Sequence, residues 1–219
     1  MALADSVMRG MGGQEAWDRT MYLAFDFAVS RNDTVLVRRT TRWEKGSNRI
    51  RISGTDGKGR PFVVLTDLGK RNPRAWVAGE PQDSAALGAL ADRAYAIWVN
   101  DTYWLLMPYK LRDPGVSLTD AGVDSTGTFR KLHLEFNKVG LTPKDQYWVY
   151  VDGTGHVRRW DMLLQGSKDG RPRPAIWSEW KKHGEIELAE LRDLPEDGVE
   201  IRFENIVAAR TTPTGAFDP

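Results

Sequence analysis

Three histidines, His133, His156 and His183, are the side chains best suited to bind a metal or move a proton near neutral pH. They are far apart in sequence, with no H-x-x-H or HExxH spacing to set two imidazoles on one helix face. Cysteine is absent, which removes thiolate ligands, disulfides and a thiol nucleophile. No G-x-S-x-G elbow is present. The glycines after Met11 and between Gly54 and Gly59 lack the strand–loop–helix context of a phosphate cradle and read as turns. Asp101, Asp113, Asp120 and Asp124 are grouped in sequence. Two carboxyls in one cleft with separated pKa values would do acid–base hydrolysis. Plainer roles are at hand: Asp101 as a helix cap, and Asp113-Pro114-Gly115 as a turn. The expectation is a protein without catalytic residue, metal or cofactor. A hydrolase-like enzyme using the carboxylates near the insert is the alternative.

The distinctive stretch is apolar. From Trp98 to Val116 the chain packs Tyr103, Trp104, Leu105, Leu106, Met107 and Tyr109 around Asn100 and Asp101, then meets Pro108. Nine tryptophans supply more large aromatic surface than an ordinary core needs. A helix apolar on most sides has to be buried on most sides. A curved sheet could receive it, with either the helix or a ligand filling the concavity. Met107 and Met162 would suit an adaptable pocket. A core filled completely by the helices is the competing reading, and would make this a structural or partner-binding protein.

The elements that must position these residues are mostly strands. Leu3, Val7 and Met11 form one stripe of a short helix ended by Gly12-Gly13, and Gln14 to Asp18 add a turn. Period-two alternation then begins, with Leu23, Phe25, Phe27 and Val29 on one side. Further strands are expected over 34–44, 48–53, 61–66 and 74–78. Asp83 or Ser84 caps a long helix carried by Leu87, Leu90, Ala94, Ile97 and Trp98. Asn100-Asp101 is expected to break it and start a second, short helix ending before Pro108. Alternation resumes at Thr128 and runs to Ile206, with Trp160 and Met162 on one face. The total is about 10–11 strands in one domain spanning 1–219, with a helical insert over 83–107.

Charge excludes some partners. Thirty-one basic and 30 acidic residues leave a net charge of +1, so no basic surplus points to nucleic acid. No run of 18 apolar residues exists to span a membrane as a helix. The first residues lack the basic and apolar regions of a signal peptide.

The run Ile97 to Val116 resembles a group of uncharacterised bacterial proteins usually made with an export signal. Met11-Gly-Gly-Gln-Glu-Ala-Trp17, Val139-Gly-Leu-Thr-Pro143, Tyr150-Val-Asp152 and the pair Trp177 and Trp180 share that resemblance. More remotely, the order helix, strand meander, helical insert, strand meander is similar to the LolA/LolB-like lipoprotein-carrier superfamily. The resemblance implies a mainly β (α+β) fold, a half-open antiparallel β-barrel with helices across its concave face. It also implies a periplasmic or exported carrier of a lipid, lipoprotein acyl chain or other hydrophobic molecule, in transient contact with a membrane-associated partner. Trp98, Tyr103, Trp104 and Met107 are then the cavity residues expected from the helix. Phe25, Phe27, Leu65 and Leu134 are those expected from the sheet. Lys110 and Arg112 are placed at the mouth, where they would meet an anionic head group or stand as solvated surface charges.

Overall fold

The alternating sequence forms strands wherever it was expected to, and in two further places. The computed structural model describes residues 2–137, 140–167 and 169–219. Val139, the first residue of the Val139–Pro143 motif, lies outside them. Helices α1 (Ala2–Gly10) and α2 (Gln14–Arg19) come first. A first meander follows: β1 (Tyr22–Arg31), β2 (Thr34–Glu44), β3 (Arg49–Thr55), β4 (Pro61–Asp67), β5 (Arg74–Val77) and β6 (Glu80–Pro81). Helix α3 (Ser84–Leu106) and a 3-10 turn (Met107–Lys110) lead to the second meander. That comprises β7 (Val116–Val123), β8 (Arg130–Phe136), β9 (Gln146–Val151), β10 (Val157–Leu163), β11 (Arg173–His183), β12 (Ile186–Leu194) and β13 (Val199–Ala209).

All the described strands form one 13-stranded antiparallel sheet, in the order β6-β5-β4-β3-β2-β1-β13-β12-β11-β10-β9-β8-β7. The expected 10–11 strands omitted the two edges. Strand β6 has only two residues, one of them Pro81, and β7 is largely exposed and carries a bulge after Asp120. Short, proline-bearing and bulged strands are how sheet edges avoid further pairing, and they lack the apolar alternation that marks an interior strand.

The order has a geometric consequence. Helix α3 leaves one edge of the sheet and reaches the other. Thirteen strands at ~4.8 Å spacing would separate the edges by about 58 Å if the sheet were flat. The 23 residues of α3 cover about 34 Å at ~1.5 Å each. The sheet therefore curls, and α3 lies across its hollow as a chord. The sheet does not close, so the half-open barrel with helices over its concave face is the architecture observed. No described helix is long and apolar enough to cross a membrane.

Local chemistry explains why α3 forms and holds its course. The Asp83 carboxylate accepts from the Ala85 and Ala86 amides at 3.1 and 3.2 Å, a helix N-cap. Ala91, Ala94, Ile97, Asp101, Leu105 and Leu106 are buried at three- and four-residue spacing. The helix runs unbroken through Asn100-Asp101, contrary to the expected break and second cap. The Asp101 carboxylate is drawn away to Arg39, and Asn100 Nδ2 donates to Asp101 at 2.8 Å. Neither side chain competes for the helix backbone, which is how Asn and Asp usually end a helix. Pro108 instead turns the end into a 3-10 segment.

The N-terminal helices dock through backbone contact. Gly12 and Gly13 take φ of +103° and +88°, closing α1. Glu187 N donates to the Met11 carbonyl at 3.0 Å, and Tyr109 Oη donates to the same oxygen. Trp17 stacks on Tyr109 with centroids 4.7 Å apart. On the convex side the tail lies against β1–β4: Arg42 Nη1 donates to the Ala216 carbonyl at 2.8 Å and Arg51 Nε to that of Asp218 at 2.9 Å. Leu65 belongs to this outer cluster with Tyr22, Ala24, Ala216 and Phe217. Its placement on the concave face is thereby corrected: alternation defines two faces, and only pairing tells which one is hollow.

Candidate functional site

The hollow is filled on one side and open on the other. On the filled side, Phe25 and Phe27 pack edge-on to Phe203, each at 5.6 Å, and Trp43 packs against Trp98 of α3 at 5.2 Å. Ile50, Ile52 and Val64 complete that half as solid core. Beside the C-terminal half a cavity of about 850 Å³ remains, lined from α3, β8, β9 and β10, from residues 140–142, 145 and 164–167, and by Asp169, Arg173 and Asp197. That size falls within the usual range for small-molecule sites, about 300–1,000 Å³.

Its wall is aromatic. Trp160 on β10 packs on Tyr147 at 4.9 Å, Tyr103 at 6.0 Å and Trp104 at 4.8 Å. Phe136 meets Tyr103 and Tyr147 edge-on at 5.9 Å each. The sheet register assembles this wall: Tyr147 lies opposite Met162 and Leu134, and Trp160 opposite Val149. Burial raises the Tyr103 and Tyr147 hydroxyls well above their ordinary value. Tyr147 Oη donates to Asp145 at 3.3 Å, and Asp145 also accepts the Gln165 amide at 2.7 Å. Tyr103 Oη and Trp160 Nε1 are buried with no hydrogen-bond partner among the described residues.

Two buried charges hold α3 over the hollow. Asp101, fully buried, takes a bidentate ion pair from Arg39 of β2 at 2.7 and 3.0 Å. Burial outweighs that pairing and pushes its carboxyl up to about 6. Arg192 of β12 is also fully buried. Its guanidinium donates to the Trp104 carbonyl at 2.8 and 3.1 Å and to Ala189 at 2.8 Å, and lies 3.5 Å from the Trp177 ring. A cation at the negative end of a helix is favoured, and here the helix-end carbonyls stand in for a carboxylate partner while burial lowers the Arg192 pKa well below its ordinary value.

Of the residues expected at a cavity, Tyr103 and Trp104 line this one, as does Met162. Trp98 packs between Tyr95 and Trp43 over the filled half. Met107, Phe25, Phe27 and Leu134 are core residues, each at most 2% exposed. Lys110 pairs with Asp113 at 2.7 Å and Arg112 with Asp5 at 2.5 Å, so both serve ion pairs rather than this mouth. Phe136, Tyr147 and Trp160 were missed as lining residues. Alternation put Trp160 and Met162 on one face, but identifying that face needed the register.

The groups with catalytic potential are dispersed. Asp113 pairs with Lys110, Asp120 with Arg130 at 2.7 Å, and Asp124 accepts the amides of Thr126, Thr128 and Phe129. His133 stacks on Trp148 at 4.7 Å. No three metal-binding side chains converge among the described residues. One hydroxyl–imidazole–carboxylate line does form: His156 has Thr154 Oγ1 at 2.8 Å and Glu187 Oε2 at 2.9 Å. Thr154 Oγ1, however, donates to Asp152 Oδ1 at 2.6 Å, which turns its proton away from the imidazole. The line sits on a surface turn away from the cavity.

Comparison with solved structures bears on the fold. The chain is similar in fold to a DUF1329 family protein from Desulfovibrio piger. The TM-score is 0.51 at 14% identity, covering 94% of this chain and 92% of that one. A LolA superfamily protein from Nitrosomonas europaea matches with a TM-score of 0.47 at 13% identity, covering 91% and 94%. The Mycobacterium tuberculosis lipoprotein LppX matches at 0.34 and 11% identity, covering 94% of each chain. At 14% identity the first of these likenesses is one of fold alone. No protein-family model and no curated protein matches the chain.

Proposed function

We propose that this protein is a non-enzymatic binder that carries one hydrophobic molecule in the cavity beside the C-terminal half of α3. The carrying observation is the aromatic hollow itself, about 850 Å³ in volume and built from Tyr103, Trp104, Phe136, Tyr147 and Trp160. Apolar walls with a few polar groups at the rim are the usual form of a small-molecule site. The open-barrel architecture supports this reading, because a curled sheet bridged by a chord leaves space that its own side chains fill only in part. An exported or periplasmic setting, suggested by the resemblance of Ile97–Val116, and exchange with a membrane-associated partner, suggested by the LolA/LolB-like element order, are part of the proposal.

The test is native mass spectrometry of the purified protein, with extraction and identification of bound lipid. A co-purifying hydrophobic molecule, or saturable binding of a fluorescent apolar probe, is expected. Trp104→Ala should weaken probe binding at least several-fold while the protein stays folded by circular dichroism. Protein that carries nothing and ignores apolar probes would refute the proposal.

A further inference from the structure

The cavity wall includes a buried carboxylate without a counter-charge. Asp145 lines the cavity and is 5% exposed. Three acids are buried among the described residues, and the other two are paired: Asp101 with Arg39 at 2.7 Å and Asp161 with Arg159 at 2.6 Å. Asp145 accepts the Gln165 amide at 2.7 Å and the Tyr147 hydroxyl at 3.3 Å, and no Lys, Arg or His among the described residues pairs with it. A carboxylate has room for about four hydrogen bonds, and a buried one ordinarily meets a cation. Arg173, the one basic side chain among the described lining residues, is already held by Asp169 at 2.9 Å and Glu196 at 3.2 Å.

The rings beside Asp145 suit a cation too. Asp145 joins the aromatic wall through Tyr147, whose ring lies 5.8 Å from Tyr103 and 5.9 Å from Phe136. After burial, the Asp145 charge is among the causes that raise the hydroxyls of Tyr147 and Tyr103, so it acts on two rings of the wall. Tyr103, Trp104 and Phe136 line the cavity and each keeps part of its surface exposed. Ring faces attract an ammonium group, more strongly where water is excluded.

We propose that the cavity takes a hydrophobic amine, whose ammonium group pairs with Asp145 while its apolar part lies on Tyr103, Trp104 and Phe136. This rests on the hydrophobic-ligand reading above and narrows it, towards cationic amphiphiles and away from fatty acids and other anionic lipids.

Three displacers with the same chain and different heads test the idea against bound N-phenyl-1-naphthylamine, an uncharged fluorescent dye: dodecylamine, 1-dodecanol and dodecanoate, at pH 7. The amine should displace the dye at a concentration roughly ten- to a hundredfold lower than the alcohol, the worth of one hydrogen bond to a charged group. Dodecanoate should be weakest. Asp145→Asn keeps an acceptor for the Gln165 amide and removes the charge, so it should bring amine and alcohol close together, with circular dichroism and melting as the check on folding. Asp197→Asn, at the same cavity, should leave the gap as it is. In the wild type the gap should persist from about 0.05 M to about 0.5 M salt, since a buried pair is screened far less than exposed charges.

Dye that binds but is displaced by the alcohol or dodecanoate as well as by the amine, or by none of the three, would keep the hydrophobic-ligand reading and overturn this one. An amine advantage that survives Asp145→Asn, or that collapses in salt, would overturn the assignment to Asp145. Failure to bind the dye or any of the three chains would overturn both readings.

Discussion

Replacing Asp101 by Asn should make the protein more stable near neutral pH and leave it nearly unchanged in acid. Asp101 is fully buried on α3, and its carboxyl is pushed up from 3.8 to about 6 by burial, against the pull of Arg39. A group whose native pKa is raised binds more protons in the folded state than in the unfolded one. Its contribution to stability is therefore fully present below its unfolded value and is lost as pH rises through the folded value. The window is pH 3.8 to about 6. One pKa unit corresponds to about 1.4 kcal/mol, so the loss across it is roughly 3 kcal/mol. Other carboxylates act oppositely: Asp56, Asp124, Asp152, Asp169 and Glu185 are all held down near 2. The wild type alone would blend these effects, so the informative quantity is the difference between wild type and variant, in which they cancel. Asn matches the protonated acid in size and charge. Arg39, with its side chain 21% exposed, can hydrate when its partner is neutral. Urea unfolding at pH 4 and pH 7 should show a difference near zero rising to about 3 kcal/mol in favour of Asp101→Asn. A difference that stays flat, or that favours the wild type at pH 7, would refute the reasoning. It would mean that the Arg39 pair outweighs burial and that the ion pair is a net stabiliser of the chord.

Further perturbations probe the parts that hold the cavity. Asp83→Ala removes the N-cap of α3 and should cost about 1 kcal/mol in urea unfolding; no change would mean that the first turn is held by packing instead. Gly155 takes φ of +92°, and a Cβ there would collide with the Ser6 carbonyl of α1. Gly155→Ala should therefore cost about 2 kcal/mol or more and free the N-terminal helices, seen as faster amide exchange over Ala2–Gly10. Tyr103→Phe deletes a buried hydroxyl without a partner and should raise stability by about 1 kcal/mol in ligand-free protein; a lower melting temperature would show that the hydroxyl is satisfied in solution.

Much of the architecture was legible because it rests on local pattern. Period-two alternation and short apolar runs between turns located the interior strands, and Gly12-Gly13, Asp83 and Pro108 marked helix ends through their own backbone chemistry. Strands β6 and β7 were not legible, since an edge strand carries no buried stripe. The continuity of α3 at Asn100-Asp101 was hidden for another reason: it depends on Arg39, which is remote in sequence and adjacent only through the fold. Arg192 gave no signal at all, because nothing local says that a strand arginine will turn inward to meet the end of a helix.

The candidate site divides in the same way. The sequence by itself determined that an apolar, aromatic helix would have to be buried by a mainly β chain, and that Tyr103 and Trp104 were among its large rings. Their spacing and the alternation of the strands are properties of neighbours along the chain. Tertiary structure decided which face of the sheet is hollow, placing Leu65 outside and Trp160 inside. It also decided that the hollow is packed at Phe25, Phe27 and Trp98 yet open beside Tyr103 and Trp104. The physical reason is that a cavity is what remains between elements after they pack. Its position depends on strand register, on the curl imposed by a helix shorter than the flat sheet is wide, and on two buried charges that fix where that helix lies.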